Sequence, residues 1–126
     1  MQSNIQENKL SQGSIVWAFY PLTDKVDKAK RQPVLIVSNE YSNVLDNDYI
    51  VLPITKAVRS ESFSLILEST DIEGDLPTSS ELRCNKPFTL RSNLILETIG
   101  LLNQSKLIQA VRLMNKAVAA TERYAS

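Results

Sequence analysis

The sequence is centred on the segment PVLIVS at residues 33–38, five successive apolar residues followed by a serine. Three of the five are β-branched and the run is too short for a helix of ordinary length, so a buried strand is predicted. A second such run, YIVLPIT, follows at residues 49–55. Residues 41–48, between the two runs, are rich in turn-forming side chains. We therefore predict two neighbouring central strands separated by a turn.

Polar side chains stand at the ends of these two runs. Lys30, Arg31 and Gln32 precede the first run, and Thr55 and Lys56 follow the second. If the two strands pair in the antiparallel sense, Arg31 and Thr55 lie at the same edge of the sheet. We expect the functional site at that edge.

Charge and residue usage limit the functions that the chain can have. The 14 lysines and arginines balance 14 aspartates and glutamates, so nucleic-acid binding would require a local basic patch. The chain has no histidine, which removes the usual general base and the Ser–His and Cys–His nucleophiles. Its single cysteine, Cys84, excludes an intramolecular disulfide and a cysteine-based zinc site, and suits a reducing cytosol.

Length and hydropathy predict one soluble intracellular domain. The 126 residues are enough for one domain with a core of its own. No apolar run approaches the roughly 20 residues of a membrane span, and no signal-peptide pattern is present at the N-terminus. Residues 1–12 are polar and predict a flexible tail, which leaves residues 13–126 as the domain.

The rest of the chain predicts further strands and one helix. Strands are expected at residues 14–20, ended by Pro21, and at residues 63–68, 79–90 and 93–102, with the third of these strands either continuous or bent into two near Pro87. Residues 21–32 are expected to form a long loop and residues 69–78 a turn-rich connection. Leu107, Val111, Met114 and Val118 then recur with helical spacing after Asn103, a candidate N-cap, and predict a helix over about residues 104–122.

A series of short motifs resembles the PemK/MazF toxin family. In order, the motifs are GSIVW at 13–17 with YP at 20–21, QPVLIVSN at 32–39, VLPIT at 51–55, TL at 89–90, and IGLL at 99–102 before the C-terminal helix. The resemblance implies a small SH3-like β-barrel of the PemK/MazF/CcdB type with a terminal helix, usually as a homodimer. It further implies a cytoplasmic toxin of a type II toxin–antitoxin system, an endoribonuclease that cleaves single-stranded RNA without metal or cofactor and is neutralised by a cognate antitoxin.

The residues of the family's active site carry over in part. The threonine after Pro-Ile is present as Thr55, and the Arg-Cys-Asp segment of PemK-type members appears at residues 83–85 with Asn85 replacing the aspartate. The arginine that commonly precedes the Pro-x-Leu strand is replaced by Gln32, with Arg31 one position earlier. The Gln-x-Arg-Thr pattern of MazF-type members appears at residues 86–89 with Phe88 replacing the arginine. The resemblance thus implies the catalytic candidates Arg83, Thr55, Arg31 and Asn85, the RNA-binding candidates Lys86, Gln32 and Phe88, and no metal ligand. The lysine-rich segment at residues 21–32 adds Lys28 and Lys30 as RNA-binding candidates.

RNA cleavage needs a base for the 2′-OH, an acid for the leaving 5′ oxygen and cations for the phosphorane charge. Arg83 is the natural cation, because a guanidinium matches the phosphate oxygens as a fork, and Arg31 or Lys86 could share that work. Thr55 could donate a hydrogen bond to phosphate. Asn85 could orient the 2′-OH but is no base at neutral pH, so Asp24 or Asp27 is a possible substitute.

Two functions remain open at this point. The first is the endoribonuclease, and the second is a non-catalytic module that binds an antitoxin, a DNA gyrase-like target or nucleic acid. Three other residues can be explained by packing. Cys84 is expected to be a core residue rather than a nucleophile, and Trp17 is expected in the core or in a dimer interface. Phe88 is expected either to pack in the core or to stack on a base.

Overall fold

One antiparallel sheet of eight strands and a C-terminal helix make up the part of the chain that the computed structural model describes, residues 10–22, 25–76 and 80–122. The strands are β1 (Ser14–Leu22), β2 (Lys25–Ile36), β3 (Asp48–Thr55), β4 (Ser64–Leu67), β5 (Ile72–Gly74), β6 (Ser80–Arg83), β7 (Phe88–Arg91) and β8 (Ile95–Leu102). The helices are α1 (Glu40–Asp46) and α2 (Gln104–Val118), and short 3-10 turns cover Ser69–Asp71 and Ser92–Leu94. The strand order is β4-β6-β3-β2-β1-β8-β5, with β7 also paired to β3. The mainly β, barrel-like fold with a terminal helix is confirmed.

The central strands are buried on both faces, which explains their uninterrupted apolar sequence. Val34, Leu35 and Ile36 are each 0% exposed, although neighbouring side chains point to opposite faces of β2. Leu35 belongs to a core cluster that includes residues of α2, whereas Val34 and Ile36 belong to a second cluster on the other face. The sheet is therefore a layer between two apolar cores.

The register of β2 and β3 fixes the edge at which the polar residues meet. The two strands are antiparallel, as predicted, with Val34 opposite Pro53 and Ile36 opposite Val51. Continuing this register by two residues sets Gln32 beside Thr55. The ends of the two apolar runs therefore meet at one edge of the sheet.

The predicted loop at residues 21–32 is wrong, because most of it is strand. β1 continues through Pro21 to Leu22, and β2 begins at Lys25. Pro21 does not end β1, because pairing with β8 stops at Ala18 and leaves only one neighbouring strand beyond it. The lysine-rich composition suggested a loop, but pairing with β1 supplies the backbone hydrogen bonds there.

Two other connections contain regular structure that was not predicted. Residues 41–48 fall mostly in α1, where the Asn39 side chain accepts a hydrogen bond from the Ser42 amide at 3.3 Å and Asn47 ends the helix with φ 58°. The connection at residues 69–78 contains β5, which pairs with β8 so that Gly74 lies opposite Gly100. A Cβ on Gly100 would come within 2.5 Å of the Glu73 carbonyl oxygen, so this close approach requires glycine.

The remaining strands follow the prediction in outline. β4 lies within residues 63–68, and β8 lies within residues 93–102. The segment at residues 79–90 forms two short strands, β6 and β7, on either side of Pro87. β1 lies between β2 and β8, with Ser14 opposite Leu101, so strands from the two ends of the domain are neighbours.

Helix α2 begins where predicted and ends earlier. The Asn103 side chain accepts a hydrogen bond from the Lys106 amide at 2.7 Å, so Asn103 is the N-cap. Leu107 is buried and Met114 packs on the same core, but Val118 is 67% exposed. The predicted end at residue 122 is wrong, because contact with the sheet ends before Val118.

No helix in residues 10–22, 25–76 and 80–122 has the length and apolar character needed to cross a membrane.

Candidate functional site

A cavity of about 570 Å³ opens at the edge where β2, β3 and β6 meet. This is the edge that the register of the two central strands defines. Its lining residues come from β1, β2, β3, β6, the loop after β3 and the connection after β5: Trp17, Lys30, Arg31, Gln32, Pro33, Ile54, Thr55, Lys56, Ala57, Arg59, Leu76, Ser80 and Arg83. Residues far apart in sequence therefore share one concave surface.

Gln32 and Thr55 stabilise the rim of the cavity with hydrogen bonds to the backbone. The Gln32 amide nitrogen donates to the Ile54 carbonyl at 3.4 Å, which ties β2 to the end of β3. The Thr55 hydroxyl donates to the Ala57 carbonyl at 3.2 Å and so supports the start of the following loop. The Thr55 oxygen keeps lone pairs that can accept a hydrogen bond from a ligand.

Arg31 lies in the strand rather than in a loop. Its Nη2 donates to Glu97 Oε1 on β8 at 2.9 Å, and its guanidinium carbon lies 5.0 Å from the centre of the Trp17 ring. The Arg31 and Glu97 side chains are 53% and 64% exposed, so the ion pair contributes little stability. A competing phosphate can therefore displace Glu97 at small cost.

Arg83 is held by a carboxylate that is buried beneath it. Its side chain is 12% exposed, and Nε lies 3.0 Å from Glu81 Oε1, whose side chain is 0% exposed. Neither atom has a hydrogen-bond partner, so the contact is an ion pair in which the N–H is poorly aligned. A second carboxylate, Glu61, lies 3.8 Å from Arg83 Nη1 at the surface.

Glu81 is ionised in spite of its burial. Burial alone would raise the pKa of the carboxyl group, but hydrogen bonds from the Ser60 and Arg59 amides outweigh this effect and lower the pKa below its ordinary value. The Ser64 hydroxyl and the charge of Arg83 act in the same direction. The two amide bonds to Oε2 measure 2.8 Å and 3.0 Å. The carboxylate is therefore a fixed negative charge behind the cavity wall.

The cavity wall is basic, although the chain as a whole carries no net charge. Five lysines and arginines line it, and the described lining contains no aspartate or glutamate: Lys30, Arg31, Lys56, Arg59 and Arg83. Within the described residues, ion pairs involve only Arg31 and Arg83 of these five. This local patch suits a polyanion such as the backbone of a nucleic acid.

A family model described as "PemK-like, MazF-like toxin of type II toxin-antitoxin system" matches residues 11–118. The chain belongs to this family. The match begins before β1 and ends at the last residue of α2, so it includes the whole sheet and the cavity.

Solved structures of similar proteins share the family fold. An endoribonuclease in complex with its cognate antitoxin, from a mycobacterial species, superposes with a TM-score of 0.71 at 16% identity and covers 91% of this chain and 100% of that one. MazF (Form-I) from Deinococcus radiodurans gives 0.72 at 15% identity, with coverage of 88% and 97%. The Mycobacterium tuberculosis toxin MazF-mt6 gives 0.62 at 24% identity, with coverage of 81% and 94%. A comparison with curated proteins finds no match.

Five of the residues that the family pattern singled out line the cavity: Arg83, Thr55, Arg31, Lys30 and Gln32. The other residues lie elsewhere. Asn85 and Lys86 are exposed in the turn after β6, outside the described lining. Phe88 is half-buried against the core cluster of Val34 and Ile36. The side chains of Lys28 and Asp27, and the whole of Asp24, fall outside the described residues.

Sequence reasoning placed Lys56 at the functional edge beside Thr55 without assigning it a role, and it missed three other residues of the site. Arg59 and Trp17 line the cavity through the positions of their loop and strand, which the sequence alone does not give. Glu81 gave no signal at all, because a glutamate two residues before an arginine on a short strand resembles an ordinary surface pair.

The remaining candidate groups have structural roles or form no site. Cys84 is 0% exposed in the core, as expected, and burial raises the pKa of its thiol to about 12, so it is not a nucleophile at neutral pH. Within the described ranges, no three histidine, cysteine, aspartate or glutamate side chains come close enough to hold a metal ion.

Proposed function

We propose that this chain is the toxin of a type II toxin–antitoxin pair and that it cleaves single-stranded RNA in the cavity at the β2–β3 edge. The observation that carries the proposal is the basic wall of that cavity, five lysines and arginines around Thr55 in a chain of zero net charge. Membership of the toxin family and the fold shared with an endoribonuclease support it.

The proposed reaction is an internal attack on the RNA phosphate. The 2′ hydroxyl gives its proton to a base and its oxygen bonds to phosphorus, while the bond from phosphorus to the 5′ oxygen breaks. The leaving 5′ oxygen takes a proton from water, so the products are a 2′,3′-cyclic phosphate and a 5′-OH end. Arg83 is assigned to the phosphate oxygens on which charge develops, because its guanidinium is fixed before substrate arrives. The Thr55 hydroxyl turns from the Ala57 carbonyl to donate its one hydrogen bond to the same phosphate. Arg31 and Lys30 bind the flanking backbone.

We assign the 2′ proton to a carboxylate, because the chain has no histidine to act as the usual general base. Asn85 is a neutral amide and cannot act as a base at neutral pH. Among the described carboxylates, Glu97 contacts Arg31 at 2.9 Å and Glu61 lies 3.8 Å from Arg83. We assign the base to one of these two, and Glu97→Gln and Glu61→Gln distinguish them, since loss of the base lowers kcat by about 10²–10⁴-fold.

The proposal is tested by single-turnover cleavage of a long unstructured RNA, with the new 5′ ends mapped. The wild type should give 5′-OH ends at a defined sequence. Arg83→Lys keeps the charge but loses the fork, and Arg83→Ala loses both, so we expect cleavage about 10²-fold slower or worse in each. Arg112→Ala, which removes an exposed arginine of α2, is the matched control and should cleave as the wild type does.

A different outcome would identify the second function. If RNA gives no products above background and Arg83→Ala changes nothing, the chain is a non-catalytic partner-binding module. Similar solved structures include MazE–MazF complexes from Deinococcus radiodurans, and we infer a cognate antitoxin and a homodimer for this chain as well. Co-purification with the product of a neighbouring small reading frame tests that partner under either function.

A further inference from the structure

We infer that Glu81 is the positioning residue of the cavity, holding both Arg83 and the loop of residues 56–60 in place; the inference rests on the proposed function. Glu81 and Arg83 are two residues apart on β6, so their side chains emerge on the same face of the strand. Glu81 also lies opposite Thr55 in the pairing of β6 with β3. Glu81 is therefore on the same strand face as Arg83 and opposite Thr55 on the neighbouring strand, the two residues assigned to the phosphate.

One carboxylate oxygen fixes the loop. Glu81 Oε2 accepts hydrogen bonds from the Arg59 amide at 3.0 Å and the Ser60 amide at 2.8 Å. Ser60 has φ 54°, a left-handed conformation that a serine rarely adopts without support. The carboxylate supplies that support, and the loop in turn brings Lys56 and Arg59 to the cavity wall.

The other oxygen fixes the arginine. Glu81 Oε1 lies 3.0 Å from Arg83 Nε, and Arg83 lines the cavity while Glu81 is wholly buried behind it. Glu81 is not in the described lining and cannot touch the RNA directly, so its effect passes through Arg83 and the loop. Because an ionised carboxylate is costly to bury, an apolar residue would suit a purely packing role better.

The variant Glu81→Gln tests the inference, because it keeps the shape and one acceptor oxygen but removes the charge. We expect kcat to fall by about 10²-fold with a smaller change in RNA affinity, since misplacement of a catalytic group acts on the transition state. In the Arg83→Ala background the same substitution should lower kcat by a smaller factor than in the wild type, because only the effect through the loop of residues 56–60 remains. Glu73→Gln, which changes an exposed glutamate on β5, is the matched control.

A second readout does not depend on RNA cleavage. The Arg83 Nε–H signal in a nitrogen–proton NMR spectrum, assigned by its loss in Arg83→Ala, should shift in Glu81→Gln and stay unchanged in Glu73→Gln. If Glu81→Gln does not fold, Glu81→Asp keeps the charge and shortens the side chain, and the same signal should move. The inference would be overturned if Glu81→Gln and Arg83→Ala had additive effects on kcat, or if the Arg83 Nε–H signal did not move. Absence of wild-type cleavage would overturn the proposed function, while the NMR signal would still decide the role of Glu81.

Discussion

At the scale of single residues, Glu81 makes the stability of the fold depend on pH. Its pKa in the folded protein is lower than the ordinary value of 4.5, so the unfolded chain binds this proton more readily. The stabilisation from the carboxylate is therefore complete above about pH 4.5 and is lost as the pH falls through the folded pKa. The contacts that position Arg83 are thus also the contacts that acid removes.

We predict that Glu81→Gln unfolds at a lower temperature than the wild type at pH 7, and that the difference shrinks on acidification below about pH 4.5. The glutamine side chain is neutral at every pH in this range and has no carboxylate to protonate, so it lacks this source of acid sensitivity. Melting temperatures measured from pH 7 to pH 3 provide the check, with Glu73→Gln expected to follow the wild type. A gap of constant size over this range would contradict the prediction.

At the scale of elements, the N-terminus of α2 is stabilised by the N-cap residue Asn103. Asn103 accepts from the Lys106 amide at 2.7 Å, and this bond satisfies an amide that has no partner within the helix. We predict that Asn103→Ala lowers the free energy of unfolding by about 1 kcal/mol. Urea unfolding measures the change, and Gln109→Ala, at an exposed position within the same helix, should alter stability by less than about 0.5 kcal/mol. Equal losses in the two variants would argue against a cap.

The elements that were predicted from sequence share one property, which is an apolar pattern strong enough to stand out. β2 after Pro33, β3 and the start of α2 bury side chains along most of their length, so hydrophobic periodicity identifies them. β5 has three residues, including a glutamate and a glycine, and is stabilised by pairing with β8. The first part of β2 is likewise defined by its partner strand. Tertiary pairing, which sequence patterns do not record, decides such elements.

The residues of the functional site were likewise predictable only where an apolar strand or the family pattern marked them. Arg31 and Thr55 were expected at one edge because both flank apolar strands, and the register of β2 and β3 does bring them to one cavity. Arg83 was found through the family pattern alone. Glu81 was not found, because its function depends on the amides of a loop whose conformation no local signal specifies.

At the scale of the whole molecule, the proposed binding of RNA by a neutral chain depends on a small number of local charges. Between three and five lysines and arginines of the cavity are available, depending on whether Arg31 exchanges Glu97, and Arg83 exchanges Glu61, for phosphate. We predict that log Kd for a short single-stranded RNA rises with log salt with a slope of about 2 to 3.5. Fluorescence polarisation over a potassium chloride series measures it.

A matched variant tests the origin of that slope. Glu97→Gln removes the carboxylate that pairs with Arg31. Arg31 can then bind the RNA phosphate without first breaking an ion pair, so the affinity for RNA should rise at low salt. Glu40→Gln, which changes an exposed glutamate on α1, should leave both slope and affinity near the wild-type values. A slope near zero would mean that the cavity does not bind the phosphate backbone.

The pairing of β1 with β8 has a consequence for the order in which the molecule folds. Ser14 pairs with Leu101, so one side of β1 stays open until a segment more than 80 residues later is in place. Contacts of this separation carry a large loop-closure cost and favour slow folding, in milliseconds to seconds rather than microseconds. During synthesis the N-terminal strands must wait for residues 95–102 to leave the ribosome. A chain interrupted before that point therefore lacks a complete sheet and cannot present the assembled toxin.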